Sequence, residues 1–260
     1  MIPIRDHNPS RSMAFVTWAL MALNIGLHLA VTMQADTDPA LWALYRDFAL
    51  IPAKVTAGQG LGGFVTSVFL HADLLHLAGN MLFLWIFGDN MEDEMGHLGF
   101  LVFYLACGVG AGVAQWAAEP WSQVATIGAS GAIAGVMGGY LLLFPKAKVD
   151  IFVFLIIIIR IIPIPAWLML GLWFALQVFN GIGSDANAGG VAHWAHAGGF
   201  VIGMILALPL FVRRGGPAFW NRTQGHPAHP EADYGRLSPS SIPPVRRGGP
   251  ARRDPRGPWP

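Results

Sequence analysis

The chain is organised around the stretch Ile127-Gly128-Ala129-Ser130-Gly131-Ala132-Ile133-Ala134-Gly135, which opens an apolar run ending at Phe144-Pro145. Such a run predicts a buried helix, and a serine at its start is usually a packing residue that hydrogen-bonds to its own helix. The flanking glycines change that interpretation, because they uncover the backbone around Ser130 and let a second helix approach. The first N–H groups of the helix lack intrahelical partners and can bind an anion. The stretch therefore has the features that a serine nucleophile needs.

The composition of the chain is that of a membrane protein with several spans. Hydrophobic residues make up 54% of the 260 residues and charged residues only 12%, whereas about 25% is usual for soluble domains. This excludes a soluble globular protein. Cys107 is the only cysteine, so no intrachain disulfide can form, and its apolar surroundings favour a small core residue.

Six apolar segments are predicted to cross the membrane, since about 20 apolar residues span its hydrocarbon core. They are 13–33, 74–88, 98–118, the serine helix, 166–179 and 191–212. The region 149–179 is expected to contain a turn and then a span, with the break at Pro163 and Pro165, and the long connection 34–70 is expected to lie in the membrane interface. The predicted fold class is all-α, a polytopic six-transmembrane-helix bundle formed by residues 13–212.

The distribution of positive charge predicts the orientation of this bundle. Residues 1–212 contain seven Lys or Arg, and the last 48 residues contain nine Arg. Six spans put Arg5, Arg11, Lys146, Lys148, Arg160, Arg213 and Arg214 on one side, and cytoplasmic loops are the ones enriched in Lys and Arg. Residues 1–12 are thus predicted to be a cytoplasmic N-terminus, and the protein is predicted to lie in the cell (inner) membrane. Residues 213–260, rich in Pro and Arg, are predicted to be a disordered cytoplasmic tail.

Three polar side chains are predicted to share one layer inside the membrane. Counting at about 1.5 Å per residue from the inner helix ends places His76, Ser130 and His196 roughly 18, 21 and 24 Å above the inner boundary. Asn80 is four residues after His76 on the same helix face and comes out roughly 12 Å above that boundary. Intramembrane polar groups are costly and face the bundle interior, so this layer is a candidate functional site.

Small residues predict which helices touch. Gly131 and Gly135 lie four residues apart on the serine helix, and Gly199 and Gly203 do so on the last span. Docking these faces brings His196 near Ser130, where the imidazole can take the hydroxyl proton. No Asp or Glu occurs at that depth, so the pair would be a Ser-His dyad.

The chain resembles the rhomboid family of intramembrane serine proteases. The motifs that carry the resemblance are Gly128-Ala129-Ser130-Gly131 (GxSG), His76-Leu77-Ala78-Gly79-Asn80 (HxxxN) and His196-Ala197-Gly198-Gly199-Phe200-Val201-Ile202-Gly203 (HxxGxxxG). Residues 66–71 and 88–93 also resemble the common bacterial form. Together the motifs run in order through about residues 13–212.

The resemblance implies a serine endopeptidase and assigns a role to each residue of its active site. Ser130 would be the nucleophile, His196 the general base, and His76, Asn80 and the N–H of Ser130 the oxyanion hole. It also implies that the fifth helix and the loop after it, with Trp173, Phe174 and residues 181–190, gate substrate entry. One position departs from the pattern: Ala134 stands where some members have a Tyr that stacks on the catalytic histidine. How the His196 ring is held is therefore an open question.

The implied partners are transmembrane protein substrates and the lipid bilayer, with no cofactor, no metal and no nucleic acid. A catalytically silent rhomboid-like binding or quality-control factor is the alternative, although such a protein would normally lack the serine or the histidine. A transporter or channel would predict inverted repeats or paired ionisable groups at the midplane, and neither is evident. A zinc site formed by His71, His76, His193 and His196 is a further alternative, but no Cys, Asp or Glu accompanies these histidines.

Overall fold

The computed structural model describes residues 2–34, 37–155, 158–185 and 189–234. Its long helices match the predicted spans closely and confirm the helical class. They are α1 (Phe15–Gln34), α5 (Leu74–Met95), α6 (His97–Ala118), α7 (Ser130–Leu143), α8 (Ala166–Gly183) and α9 (His193–Arg213). Within the described residues α1, α6, α8 and α9 are long and apolar enough to cross a membrane, and α5 with the preceding bent helix forms a fifth candidate. The protein is a multi-pass membrane protein.

The serine helix α7 lies at the centre of the bundle. Its sequence is apolar or small all round, which is the pattern of a helix buried on every face. Twelve of its fourteen residues are buried, including Tyr140 near its end. Fourteen residues extend only ~21 Å, which is less than the ~30 Å of a hydrocarbon core. A short central helix therefore begins inside the bundle, and its first residue is Ser130.

The connection between α1 and α5 is built from short helices: α2 (Asp38–Phe48), α3 (Pro52–Thr56), α4 (Gly63–Thr66) and a 3₁₀ turn (Ser67–Phe69). The chain then turns by 94° into α5. Asp73 caps α5 by accepting a hydrogen bond from the backbone N–H of His76 at 2.8 Å. This cap fixes where α5 begins and so sets the position of the His76 side chain.

A small antiparallel sheet, absent from the sequence prediction, lies at one end of the bundle. It consists of β1 (Ile2–Asp6), β2 (Lys148–Leu155) and β3 (Ile158–Pro165), in the order β1-β2-β3. The expectation of a turn and span in 149–179 is corrected accordingly: Lys148–Leu155 and Ile158–Pro165 form strands, and α8 begins at Ala166 as predicted. The Val, Ile and Phe residues before Pro165 favour strands. In a continuous apolar run, however, periodicity does not distinguish a strand from a helix.

Polar contacts join the segments at this end of the bundle. We call it the basic end, because it carries the ion-paired residues Arg5, Arg11, Lys148 and Arg214. Asp150 on β2 accepts hydrogen bonds from Arg5 at 2.7 Å and contacts His7 at 2.8 Å. Burial raises the pKa of Asp150, but the bonds from His7 and Arg5 outweigh it and hold that pKa below its usual value. The buried Glu92 accepts from the backbone N–H groups of Val16 and Thr17, both at 2.8 Å. This carboxylate therefore caps the start of α1 and ties it to α5.

The prediction of a disordered tail from residue 213 needs correction up to residue 234. Residues Pro217–Thr223 form α10, and Trp220 donates to the carbonyl of Leu142 at 3.0 Å. Gly225 accepts from the N–H of Lys146, and the N–H of Ala232 donates to the carbonyl of His7. The few apolar residues of the segment, Phe219 and Trp220, suffice to anchor it to Phe211. Residues 235–260 of the predicted tail lie outside the described residues.

Candidate active site

The side chains of Ser130 and His196 are hydrogen-bonded to each other. Ser130 is the first residue of α7, and His196 lies in the first turn of α9, on the neighbouring helix. The Nε2 atom of His196 is 2.7 Å from the Oγ atom of Ser130. Two residues 66 positions apart in the chain are thus within the distance at which an imidazole takes a proton from a hydroxyl.

Packing of glycines on α7 and α9 brings the two residues together. A Cβ atom on Gly199 would overlap the carbonyl oxygen of Gly131, and one on Gly203 would overlap that of Gly135. The other face of Gly131 lies against Ala111 of α6, where an added Cβ would be 2.6 Å from the Ala111 Cβ. All four glycines predicted as packing residues therefore lie where helix backbones or small side chains meet.

The backbone before Ser130 has a conformation that requires glycine. Gly128 has φ +123°, and a Cβ atom there would lie 2.7 Å from Nε2 of His76. His76 accepts a hydrogen bond at Nδ1 from the N–H of Ala72 at 3.4 Å. A neutral imidazole that accepts at one nitrogen carries its proton on the other, so Nε2 of His76 is a donor facing Gly128. Gly128 thus allows a donor to approach the start of α7.

Asn80 lies one turn after His76 on α5 and is buried. Its Nδ2 atom is enclosed and makes no hydrogen bond with any of the described residues. Buried polar atoms are rarely left without a partner, and such exceptions often mark functional positions. The amide of Asn80 therefore has a free donor, as a group that binds a developing anion would.

A glutamine that sequence analysis did not single out contacts the other side of the His196 ring. Gln177 lies on α8, and its Oε1 atom is 2.9 Å from Nδ1 of His196. The same oxygen is 2.9 Å from Nδ1 of His193. The signal in the sequence was a polar residue within an apolar span, a feature that often marks function. Gln177 links α8 to the face of α9 that carries His193 and His196.

Two aromatic residues of α8 cover the same region of α9. The Trp173 ring lies over His196 with 5.7 Å between ring centroids and 31° between planes. Phe174 stacks on Phe200 at 4.9 Å and 25°. Ala134, where a stacking tyrosine had been considered, is fully buried in α7. In this protein the aromatic ring over His196 thus comes from α8 and not from α7.

A small cavity lies beside Ser130. Its volume is about 20 Å³, and Ser67, Thr126, Gly128 and Ser130 are among the residues that line it. A space of this size with polar walls accommodates about one water molecule. The site therefore has room for one water molecule next to Ser130.

The remaining histidines do not form a metal centre in the described part of the chain. His71 is buried before α5 with its ring 5.2 Å from that of His76. His193 and His196 instead share the oxygen of Gln177. Among the described residues no group of three or more His, Cys, Asp or Glu is arranged to hold a metal ion.

Comparison with known proteins identifies the family. A family model described as the rhomboid domain matches residues 59–213. Rhomboid-like protein 11, chloroplastic, of Arabidopsis thaliana is 34% identical over 131 residues, which is 50% of this chain and 42% of that protein. Rhomboid protein 1, mitochondrial, of Saccharomyces cerevisiae is 26% identical over 196 residues, or 73% of this chain and 51% of that protein.

A bacterial relative covers a similar region. Rhomboid protease GlpG of Yersinia pestis is 27% identical over 195 residues, which is 74% of this chain and 61% of that protein. This chain thus spans between two fifths and two thirds of the length of these relatives. The matched domain contains α5, α7, α8 and α9, the four helices that carry the candidate site. With more than half of its residues in that domain, the chain belongs to the rhomboid family.

Proposed function

We propose that this protein is an intramembrane serine endopeptidase that hydrolyses peptide bonds in or near transmembrane segments of other membrane proteins. The observation that carries the proposal is the hydrogen bond of 2.7 Å between Ser130 Oγ and His196 Nε2, at the partly buried start of a short central helix. The family membership supports it, since one relative carries the name rhomboid protease. A silent binding factor would have no need of a paired serine and histidine.

The chemistry would proceed through an acyl-enzyme. His196 Nε2 takes the proton of Ser130 as Oγ attacks the scissile carbonyl carbon, and the carbonyl oxygen becomes an oxyanion. His196 then gives that proton to the leaving amine as the C–N bond breaks. A water molecule, deprotonated by His196, attacks the ester and releases the carboxylate, and the proton returns to Ser130. No cofactor or metal enters these steps.

The oxyanion would be stabilised by donors from two helices. The N–H of Ser130 belongs to the first turn of α7 and has no intrahelical partner. His76 Nε2 faces this turn across Gly128, and the Nδ2 atom of Asn80 is a buried donor without a described partner. Donors arranged before the charge develops lower the barrier more than flexible ones, because they need no reorganisation.

Substrate entry and orientation follow from the same proposal. We propose α8 as the gate: Trp173 and Phe174 cover His196 and Phe200 of α9, and a substrate helix would reach Ser130 by displacing them. We also propose that the protein lies in the inner membrane of the cell with both termini in the cytoplasm, which the concentration of Arg and Lys at the basic end supports. Its partners would be transmembrane proteins and lipid, without nucleic acid.

A fluorophosphonate probe tests the nucleophile. Incubation of the purified protein in detergent should attach the probe to one peptide containing Ser130, as read by mass spectrometry. Ser130→Ala should abolish labelling, whereas Ser184→Ala, which changes a serine bonded to the end of α8, should label as the wild type does. Labelling that persists in Ser130→Ala, or folded wild-type protein that never reacts, would contradict the proposal.

A further inference from the structure

We propose that Gln177 is a positioning residue that holds the His196 ring in the tautomer and orientation of a general base. The inference rests on the proposed function, because a fixed tautomer matters only if His196 accepts the proton of Ser130. It answers the question left by the absence of a carboxylate and by Ala134 in place of a stacking tyrosine.

The hydrogen-bonding capacity of an amide oxygen determines where the proton lies. Oε1 of Gln177 accepts hydrogen bonds and cannot donate them. Nδ1 of His196 at 2.9 Å from this oxygen must therefore carry the proton of the neutral ring. The lone pair is then on Nε2, the atom that lies 2.7 Å from Ser130 Oγ. The contact selects the tautomer that can act as a base toward the serine.

The position of Gln177 makes this contact well defined. The residue is only 9% exposed, so water competes little for its side-chain oxygen. An amide oxygen has two lone pairs, and Nδ1 of His193 contacts it at the same 2.9 Å. The two histidines are three residues apart and lie on one face of α9. Gln177 is thus held from two points and cannot turn without breaking both contacts.

Helix α8 restrains the His196 ring in a second way. Trp173 lies four residues before Gln177, on the same face of α8, and its ring lies over that of His196. Gln177 therefore restrains the edge of the imidazole and Trp173 its face. Among the described residues no Asp or Glu hydrogen-bonds to the His196 ring, so a neutral amide takes the place that an aspartate has in a Ser-His-Asp triad.

The decisive experiment compares two substitutions at residue 177. Gln177→Leu removes the acceptor, and we expect kcat for a transmembrane substrate to fall about 10–100-fold with KM changed less than about twofold, because the wrong tautomer affects the chemical step and not binding. Gln177→Glu restores an acceptor for both histidines and should bring kcat back to within about threefold of the wild type. Gln34→Leu, the same substitution at an exposed position at the end of α1, should leave kcat unchanged.

A measurement without turnover separates this inference from the proposed function. In ¹⁵N-histidine NMR spectra, the His196 signals, assigned by their loss in His196→Ala, should show the proton on Nδ1 in the wild type and a mixture of tautomers in Gln177→Leu. If the wild type fails to cleave substrate but shows this change, the proposed function fails and the positioning role stands. Wild-type kcat in a folded Gln177→Leu protein, a tautomer that does not change, or equal loss in the Leu and Glu variants would overturn the inference.

Discussion

Gly203 on α9 lies so close to Gly135 on α7 that a Cβ atom on Gly203 would overlap the carbonyl oxygen of Gly135. One turn closer to the site, Gly199 and Gly131 are related in the same way. The distance between Ser130 and His196 therefore depends on the absence of side chains at these positions. Helices inside a membrane are not driven together by the hydrophobic effect, so they associate through such close packing.

Gly199→Val should consequently separate the two catalytic residues. A valine side chain must push α9 away from α7, and a displacement of about 1 Å at the reacting atoms lowers the rate on the order of 10²-fold. The measurement is kcat per folded molecule on a transmembrane reporter. Gly26→Val is the matched control, because a Cβ on Gly26 of α1 meets no atom within 4 Å. Full activity in a well-folded Gly199→Val protein would rule out this role for the glycine contact.

The oxyanion donors are tested by His76→Ala and Asn80→Ala. If both side chains stabilise the oxyanion, each variant should lose roughly 10²–10³-fold in kcat, while Ser130 still reacts with a fluorophosphonate, though more slowly. The expected order is that His76→Ala is the more damaging, since His76 Nε2 directly faces Gly128. A purely structural role would instead lower the melting temperature in detergent and leave kcat per folded molecule nearly unchanged.

Asp6 makes the stability of the basic end depend on pH. Burial and the charge of Asp89 raise the pKa of Asp6 from 3.8 to about 8, although the hydrogen bond from Tyr140 at 2.6 Å acts in the opposite direction. The unfolded chain ionises near 3.8 and the folded one near 8, so the unfolded state binds fewer protons between these values. The free energy of unfolding should therefore fall as pH rises from about 4 to about 8 and then level off.

The Asp6→Asn variant should remove this contribution, because its side chain is neutral at every pH. Melting temperatures in detergent at pH 5 and pH 8.5 should differ less in Asp6→Asn than in the wild type, and the variant should be the more stable at pH 8.5. Asp47→Asn, which changes an exposed carboxylate bonded to Arg46, should keep the wild-type difference. An Asp6→Asn protein with the same pH dependence as the wild type would show that Asp6 is not the group responsible.

The sequence predicted the helices because their lengths follow from the thickness of a membrane. The starts of α6 and α8 fall within one residue of the predicted spans. The sheet was missed because β2 and β3 belong to one apolar run, and their extended conformation depends on pairing with each other and with β1, more than 140 residues earlier. The anchoring of residues 217–234 was missed because it depends on a few aromatic contacts. The segment has no long hydrophobic run that would indicate it in the sequence.

The candidate site was predictable to the extent that it follows from spacing along single helices. Gly131 and Gly135 on α7, with Gly199 and Gly203 on α9, indicated which faces meet and therefore that Ser130 and His196 would be neighbours. The support of the histidine could not be predicted, because Gln177 lies on a third helix and its side-chain direction depends on how α8 packs on α9. An isolated polar residue in a span indicates a function without indicating its partner.

The central claim is that Ser130 and His196 act as one catalytic unit on a transmembrane substrate. The most direct test measures cleavage of a reporter with a single transmembrane helix by the wild type, Ser130→Ala, His196→Ala and the double variant, in liposomes and at equal amounts of folded protein. We predict that both single variants lose cleavage and that the double variant is no worse than either, since the two residues contribute to the same step. Substantial cleavage by either single variant, or an intact reporter with the wild type, would contradict the account.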